Sequence, residues 1–592
     1  MEQQSLRFLN QWGMTLLTVW LCLISILITG YKDIIGANHP LQLVLVQKIL
    51  HPELYPNDQF VQETAYAYAS FLWYLVALLS RWVDLSVVLG VLFVVSRLLF
   101  LIAAFQIGRA FFASSHAAPL AAMAFIASSP SPLVGAGNPI RDFTEQTSFA
   151  VAFVLLGLAA LMQRRPVLTA SFLGLAMDMN MMYALFGMVY LAVSWVVTPE
   201  CRKEARRWLI SLPVVVLVGA PGIWLTLQSS AHSSFDVQAV WQVAELQFPY
   251  HFFPTLWHPL LQVALLGLMG LSGYLARVLP FSTTAARTYL PLWAVIGFFW
   301  YLLAWLTPYV FHSLSLLRLH PIRGHDLWMF TAGVFFAGAA ATWIDQRPAT
   351  SWWLFAVQVG MLTVAIVWRR FDILKIDSIT LLILAFLLSG ILGAGLRALW
   401  SKSYSQQFTH ATNAWLALLV GIAFLSGRAI IAHAQRVTTA GNWLGIQAPP
   451  CLPFAEWARK NTQLDDVFLI PFGPQEGWQD FRHLSQRNVF VHWKDGTAWP
   501  YAPWYATHWL QRMRLLGLME VAHLDEHHYR TGRWTHVRET YADHVYIKTI
   551  DETRILQLVT QFRIDYWIAY KQTRTNLPVV YQHGEWKIIK VK

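Results

Sequence analysis

Two aspartates in one polar segment of the chain have the chemistry of a general base. The segment, residues 31–65, follows the first apolar stretch, and it carries Asp33 near its beginning and Asp58 near its end. A carboxylate can take the proton of a hydroxyl that attacks an electrophilic carbon. Each residue also has a structural alternative. Asp33, next to Lys32, can be a solvated residue at a helix end, and Asp58 completes a Pro-Asn-Asp turn.

Two arginines, Arg318 and Arg323, are candidates for binding a phosphate group. They flank a proline in the segment LRLHPIR. A guanidinium group is planar and presents paired N–H donors that match phosphate oxygens. The alternative is that both side chains anchor lipid head groups at the membrane surface.

Two further pairs of residues extend this candidate site. Arg141 and Asp142 are adjacent, so Arg141 can complete a phosphate site, orient the acid, or form a simple local salt bridge. Tyr250 and His251 lie in the aromatic segment FPYHFFPTLW and are candidates for substrate contacts, with packing at the membrane interface as the alternative.

The composition fixes the class of protein that must position these residues. Of 592 residues, 56% are hydrophobic and only 13% are charged, so an ordinary soluble protein is excluded. The net charge of +11 comes from basic residues in short loops between apolar segments, where they set orientation rather than bind nucleic acid. The three cysteines are far apart and indicate neither a disulfide framework nor a redox motif.

Apolar segments along the first 434 residues predict about thirteen membrane crossings. The run from 166 to 197 is polar in its middle, at MDMN, and is predicted to be two short helices that meet there. The other predicted spans are 12–30, 84–107, 117–133, 147–163, 208–227, 256–277, 288–310, 327–344, 351–368, 376–398 and 412–433. The first span is expected to be a retained helix and not a cleaved signal peptide.

The basic residues set the predicted orientation. If 66–82 lies flat at the interface instead of spanning, Arg164, Arg165 and the run 201–207 fall on the cytoplasmic side. We therefore expect 66–82 to be an interfacial helix and the N-terminus to be cytoplasmic. One group of basic residues opposes this topology, because it would face outward: Arg369, Arg370 and Lys375.

With this topology, all the candidate site residues belong to outward-facing segments. These segments are 31–65, 135–146, 229–254 and 312–326, whereas the cytoplasmic loops carry mostly short basic clusters. The asymmetry predicts a functional face outside the cytoplasm.

The remaining residues, 435–592, are far more polar and predict a separate extracytoplasmic α/β domain. Strand-like runs cover 467–472, 488–493 and 564–570, and residues 579–591 alternate around His583-Gly584 as a hairpin does. Helical patterns at 454–460 and 552–562 alternate with these strands. A dense aromatic run, 493–509, is compatible with stacking on sugars and equally with packing on the helices.

The chain resembles the GT-C superfamily of integral-membrane glycosyltransferases. The features that carry the resemblance are the long first external loop with its acids, the interfacial helix, the acid-bearing second loop, the broken helix pair and the C-terminal domain. The segments HPELYPNDQF, FPYHFFPTLW and LRLHPIR are similar to stretches of an uncharacterised group of bacterial GT-C-like proteins. The resemblance implies transfer of a sugar from a polyprenyl-phosphate carrier to a glycan, lipid or protein acceptor at the outer face of a bacterial inner membrane, with a first-loop acid as base.

Two other functions remain open from the sequence. A transporter or flippase of a lipid-linked or small polar substrate would place ionisable groups in mid-membrane and repeat its halves, and few such groups and no clear repeat are found. A non-catalytic cell-envelope assembly protein could keep a GT-C scaffold and lose the base. The cluster HLDEHH at 523–528 lacks metal-ligand spacing, so no metal site is predicted, although a divalent ion assisting the phosphate is left open.

Overall fold

The computed structural model describes residues 2–36, 38–135, 137–229, 234–247, 249–257, 259–346, 410–473, 477–517 and 545–592. Within them, the first part of the chain is a helical bundle whose interior is apolar, and the polytopic helical class predicted from composition is confirmed. The predicted spans 351–368 and 376–398, the basic residues between them and the cluster 523–528 lie outside the described residues.

The long helices of the bundle follow the predicted apolar segments, and several short helices between them were not predicted. Their bounds are α1 Glu2–Thr29, α2 His39–Leu50, α3 Gln59–Thr64, α4 Phe71–Leu79, α5 Leu85–Phe111, α6 Ala117–Ala127, α7 Gln146–Met162, α8 Pro166–Met179, α9 Met181–Val197, α10 Pro199–Lys203, α11 Ala205–Val218, α12 Ala220–Ser229, α13 Val237–Gln247, α14 Pro259–Val278, α15 Thr284–Leu306, α16 Leu314–Leu319, α17 His325–Gln346 and α18 His410–Ala440. Short 3-10 helices lie at Ala65–Ala67, Pro249–His251, Pro254–Leu256 and Pro321–Gly324, and a π-helical turn, Thr307–Phe311, extends α15.

Three of the described helices are long and apolar enough to cross a membrane: Leu85–Phe111, Pro259–Val278 and Thr284–Phe311. A fourth span is added if α11 and α12, which meet at an angle of 59°, are counted as one. The predicted total of about thirteen crossings stays a prediction.

The predicted break at MDMN is present between α8 and α9. Asn180 has extended backbone angles, φ −155° and ψ 105°, and its side chain accepts the N–H groups of Met182 and Tyr183 at the start of α9. Two residues earlier, the Asp178 carboxylate accepts the backbone N–H of Gly222 in α12, at 2.9 Å. The polar residues of this break therefore cap helix ends, which explains them without a catalytic role.

The segment 31–65 is more ordered than a loop. It contains α2, whose first eight residues are buried, and the short helix α3. The predicted interfacial helix is reduced to α4, nine residues, and a helix of that length is too short for a hydrocarbon core of about 30 Å.

The C-terminal residues form a mixed five-stranded sheet flanked by helices. Its strands are β1 Val467–Leu469, β2 Asn488–Val489, β3 Tyr566–Tyr570, β4 Val579–His583 and β5 Trp586–Lys590, in the order β2-β1-β3-β5-β4. The first three run parallel, and β4 and β5 form the antiparallel hairpin that the sequence predicts around Gly584. The helices are α19 Leu452–Asn461, α20 Phe481–Ser485, α21 Ala506–Leu515 and α22 Glu552–Gln561, with 3-10 turns at Trp478–Asp480, Trp493–Ala498 and Pro503–Tyr505.

A buried group of three charges joins this domain to segment 31–65. Arg482 donates from Nε to Asp58 at 2.8 Å and from both Nη atoms to Asp495 at 2.7 and 2.8 Å, and all three side chains are at most 3% exposed. Asp58 also accepts the N–H groups of Val61 and Val489. Burial alone would lower the pKa of Arg482, but the two carboxylates raise it, so the guanidinium stays charged.

A second contact between the same two parts is sensitive to pH. Asp480 is buried and accepts the backbone N–H of Gly36 at 2.9 Å, and burial raises the pKa of its carboxyl to about 7. The neighbouring His483 is neutral, because burial lowers its pKa to about 3. Asp480 therefore ionises near neutral pH in the folded protein without an ion-pair partner among the described residues.

Replacing Asp480 with asparagine should stabilise the protein at pH 8. The pKa of the Asp480 carboxyl is higher in the folded state than in the unfolded state. The protonated carboxyl therefore contributes its full share of the folding free energy below about pH 4, and this contribution is lost as pH rises through 7. Asp480→Asn keeps the acceptor for Gly36 and removes the buried charge, so we expect a gain of about 1–3 kcal/mol at pH 8 that vanishes by pH 4. Thermal unfolding from pH 4 to 8 measures it; a constant difference over this range would contradict the assignment.

Candidate functional site

A cavity of about 540 Å³ lies where the helical bundle meets the C-terminal domain. Such a volume is typical of a small-molecule site. Four cationic side chains and one carboxylate are found among the described residues that line it. They are Arg141, Arg318, Arg323, Lys494 and Glu145. The cavity therefore favours an anion.

Arg318 and Arg323, predicted as phosphate ligands, both line this cavity. Arg318 lies in the last turn of α16, and its Nε donates to the carbonyl of Pro500 at 2.8 Å. Arg323 lies in the 3-10 turn Pro321–Gly324, and its buried Nε has no hydrogen-bond partner in the described structure. Neither arginine forms a salt bridge with a described residue. Their remaining N–H donors are available to an anion.

Arg141 also lines the cavity, but its partner is not the predicted one. Its Nε donates to Glu145 at 2.9 Å, and Asp142 instead pairs with Lys32 at 3.1 Å, so the expected local salt bridge between Arg141 and Asp142 is wrong. Asp142 is not among the cavity-lining residues. The Arg141 guanidinium packs on Gly137, where a Cβ on residue 137 would collide with the guanidinium. Gly137 also has a positive φ of 75°, which favours glycine.

Glu145 is the one carboxylate among the described lining residues. It is 3% exposed and accepts from Arg141 through Oε2 and from Asn38 Nδ2 through Oε1, at 2.7 Å. It directly precedes α7, which begins at Gln146. Each carboxylate oxygen can accept two hydrogen bonds, so each retains one lone pair for a substrate hydroxyl.

Tyr250 and His251 line the cavity together with His320. The His320 Nε2 donates to the His251 carbonyl at 2.8 Å, and the two rings are stacked with centroids 5.6 Å apart. Burial, reinforced by the charge of Arg323, holds the pKa of His320 well below its usual range. His320 is therefore neutral, with Nδ1 as a hydrogen-bond acceptor.

The C-terminal domain closes one side of the cavity. Lys494, Trp499 and Tyr501 line it, and Trp499 contacts Phe252 with ring centroids 4.9 Å apart. Lys494 is the neighbour of Asp495, one of the three buried charges. The contacts that join the domain to segment 31–65 therefore also position the cavity wall.

The two aspartates predicted as bases do not line the cavity. Asp58 belongs to the buried charge group with Arg482, where three donors occupy its carboxylate. Asp33 is held by Tyr31 and by Ser86 near the start of α5, and burial raises its pKa. The structure thus brings together Arg141, Tyr250, His251, Arg318 and Arg323 and leaves Asp33, Asp58 and Asp142 outside.

Two further polar residues of the cavity, Glu145 and His320, belong to the predicted outward segments 135–146 and 312–326. The sequence marks the polar side chains of these segments as potentially reactive, but neither residue was chosen as a candidate site residue. Nothing in the local pattern distinguishes Tyr68 or Lys494, whose place depends on packing between distant segments. In the part of the chain that is described, no three His, Cys, Asp or Glu side chains come together to hold a metal ion.

A family model described as a domain of unknown function, DUF6798, matches residues 449–516, which is less than half of the chain. No curated protein sequence matches the chain.

Among solved structures, the chain is similar to ArnT from Cupriavidus metallidurans. The apo state aligns at 11% identity with a TM-score of 0.47, and the form bound to undecaprenyl phosphate at 12% with 0.46, each over 98% of both chains. The arabinosyltransferase EmbB from Mycobacterium smegmatis aligns at 11% identity and a TM-score of 0.38, over 71% of this chain and 41% of EmbB.

Proposed function

We propose that this protein is an inverting glycosyltransferase that takes its sugar from a polyprenyl-phosphate carrier and works at the outer face of the inner membrane. One observation carries the proposal: a cavity beside the membrane-spanning helices has two arginines, Arg318 and Arg323, without a salt-bridge partner in the described structure. Because an arginine left without a counter-ion in a half-buried site is costly, the arrangement favours an anionic ligand. A lipid phosphate supplies that charge and enters from the bilayer.

The proposed reaction assigns each lining group a step. The acceptor hydroxyl attacks the anomeric carbon, the bond from that carbon to the phosphate oxygen breaks, and the phosphate leaves with both electrons of that bond. Arg318 and Arg323 bind the negative charge that the leaving phosphate gains. Glu145, with a lone pair free on each oxygen, takes the proton of the attacking hydroxyl. We propose Glu145 for this role in place of the predicted Asp33 and Asp58, because neither aspartate lines the cavity.

The phosphate site is tested by Arg323→Gln in the full-length protein reconstituted in lipid nanodiscs. Removing a charge-assisted hydrogen bond of about 1.5–3 kcal/mol should weaken binding of undecaprenyl phosphate about 10- to 100-fold. Binding of undecaprenol, which lacks the phosphate, should be weak in the parent and unchanged in the variant. Arg81→Gln, an exposed arginine outside the cavity, removes the same charge and should bind as the parent does.

Two outcomes would contradict the proposal. Equal affinity of the parent for undecaprenyl phosphate and undecaprenol would mean that the cavity does not bind phosphate. Tight phosphate binding without sugar transfer, together with movement of the lipid between membrane leaflets, would instead favour the flippase alternative.

A further inference from the structure

A chain of hydrogen bonds behind the cavity determines which way the Tyr68 hydroxyl points. It runs from the indole of Trp73, in α4, through the side-chain amides of Gln146 and Gln42 to the Tyr68 oxygen. Tyr68 and Gln146 line the cavity, whereas Trp73 and Gln42 lie behind it. Tyr68 belongs to none of the roles assigned above.

The orientation of the Gln146 amide follows from its neighbour. An indole N–H can only donate, so the atom 3.1 Å from Trp73 Nε1 must be the amide oxygen, Oε1. The amide nitrogen of Gln146 then faces the Tyr68 oxygen and donates to it. Turning the amide over would place an N–H group against the indole N–H.

The orientation of the Gln42 amide follows from that of Gln146. Gln42 Nε2 lies 3.1 Å from Gln146 Oε1 and 3.0 Å from the Tyr68 oxygen, and it donates to both. Turning this amide over would bring two oxygens within 3.1 Å of each other. The Tyr68 oxygen is therefore an acceptor of two hydrogen bonds.

A phenol oxygen that accepts twice must send its own proton elsewhere. No described residue accepts this proton. Burial raises the pKa of Tyr68 to about 12, so the proton is retained at physiological pH. The ring is held edge-on to Tyr501, with centroids 4.8 Å apart and planes at 90°, so the hydroxyl cannot swing freely. The result is a fixed donor without an acceptor on the cavity wall.

We infer that Tyr68 is a ligand-binding residue that donates a hydrogen bond to a phosphate oxygen of the lipid bound at Arg323. The inference rests on the proposed function. Tyr68 and Arg323 line the same cavity. The charge of Arg323 lowers the pKa of the Tyr68 hydroxyl, against the larger effects of burial and Glu145, which raise it. A phosphate oxygen can accept hydrogen bonds from Tyr68 and Arg323 at the same time. A neutral sugar hydroxyl is a weaker acceptor for the charged guanidinium than a phosphate oxygen is.

The test compares three variants of the full-length protein in nanodiscs, with undecaprenyl phosphate as the probe. Tyr68→Phe removes only the hydroxyl and should weaken binding about 10- to 50-fold. Trp73→Phe removes the indole donor that fixes the pair of amides, so Gln146 and Gln42 can turn over together and accept the Tyr68 proton; here we expect a loss of about 3- to 10-fold. Tyr505→Phe removes a buried hydroxyl that has no partner in the described structure and lies outside the cavity, and it should bind as the parent does.

Parent-like affinity in Tyr68→Phe, or in Trp73→Phe, would overturn the inference. If Arg323→Gln loses affinity in the same experiment, the proposed function survives that failure, so the two are separable. An equal loss in Tyr505→Phe would also overturn it, because the effect would then follow from deleting any buried tyrosine hydroxyl. Should Tyr68→Phe not fold, Trp73→Phe alone decides, because it leaves the cavity lining intact.

Discussion

Replacing Glu145 with glutamine should lower the turnover of sugar transfer about 10²- to 10⁴-fold, which is the usual contribution of a general base. The amide cannot accept the proton of the attacking hydroxyl. The KM for the lipid donor should not rise, because the variant removes a negative charge that repels phosphate. Initial rates with a lipid-linked sugar donor measure both quantities, once mass spectrometry of envelope glycolipids in a deletion strain has identified the sugar.

Two matched variants make this test specific. Glu456→Gln makes the same change at an exposed position of α19 and should transfer sugar at the parental rate. Asp33→Asn addresses the base predicted from the sequence. Should Asp33→Asn lose turnover while Glu145→Gln retains it, the base is Asp33, and the lipid must bring its reacting carbon to the start of α5 instead of to the cavity.

Replacing Arg482 with methionine should destabilise the attachment of the C-terminal domain by about 3–5 kcal/mol. The change leaves two carboxylates, Asp58 and Asp495, buried together without a cation. We expect a lower thermal unfolding temperature and faster proteolysis of the domain. Arg459→Met, at an exposed arginine of the same domain, is the control.

A compensating variant separates the charge effect from loss of packing. Adding Asp58→Asn and Asp495→Asn to Arg482→Met removes all three charges and should recover at least half of the lost stability. Unfolding of Arg482→Met at the parental temperature would contradict the assignment of these charges as the main attachment.

Much of the fold follows from local sequence pattern. The hairpin at Gly584, the strand at 566–570 and the break at Asn180 each depend on a few neighbouring residues, which is why alternation and turn chemistry predict them. The helix α2 was missed because its polar residues suggested a loop. Those residues are polar because they contact other segments, as His39 does with the Thr144 carbonyl.

The residues of the cavity could be predicted only in part, because some of their contacts join segments that are far apart in the sequence. Arg318 and Arg323 were predicted because arginines on the predicted outer side of a membrane protein suggest phosphate binding, and both line the cavity. The role of Asp58 could not be found, because its partner Arg482 lies 424 residues away in the sequence. Only the folded chain shows that this acid already has a cation.

The distance in sequence between Asp58 and Arg482 also bears on how the protein is made. At about 5–20 residues per second, a ribosome needs roughly 20 to 80 seconds to synthesise the intervening chain. Throughout that interval Asp58 has no arginine to pair with and must remain hydrated, so segment 31–65 cannot reach its final packing. The cavity is thus completed only after Arg482 has been synthesised, and under the proposed function a nascent chain has no working site with which to consume a lipid carrier.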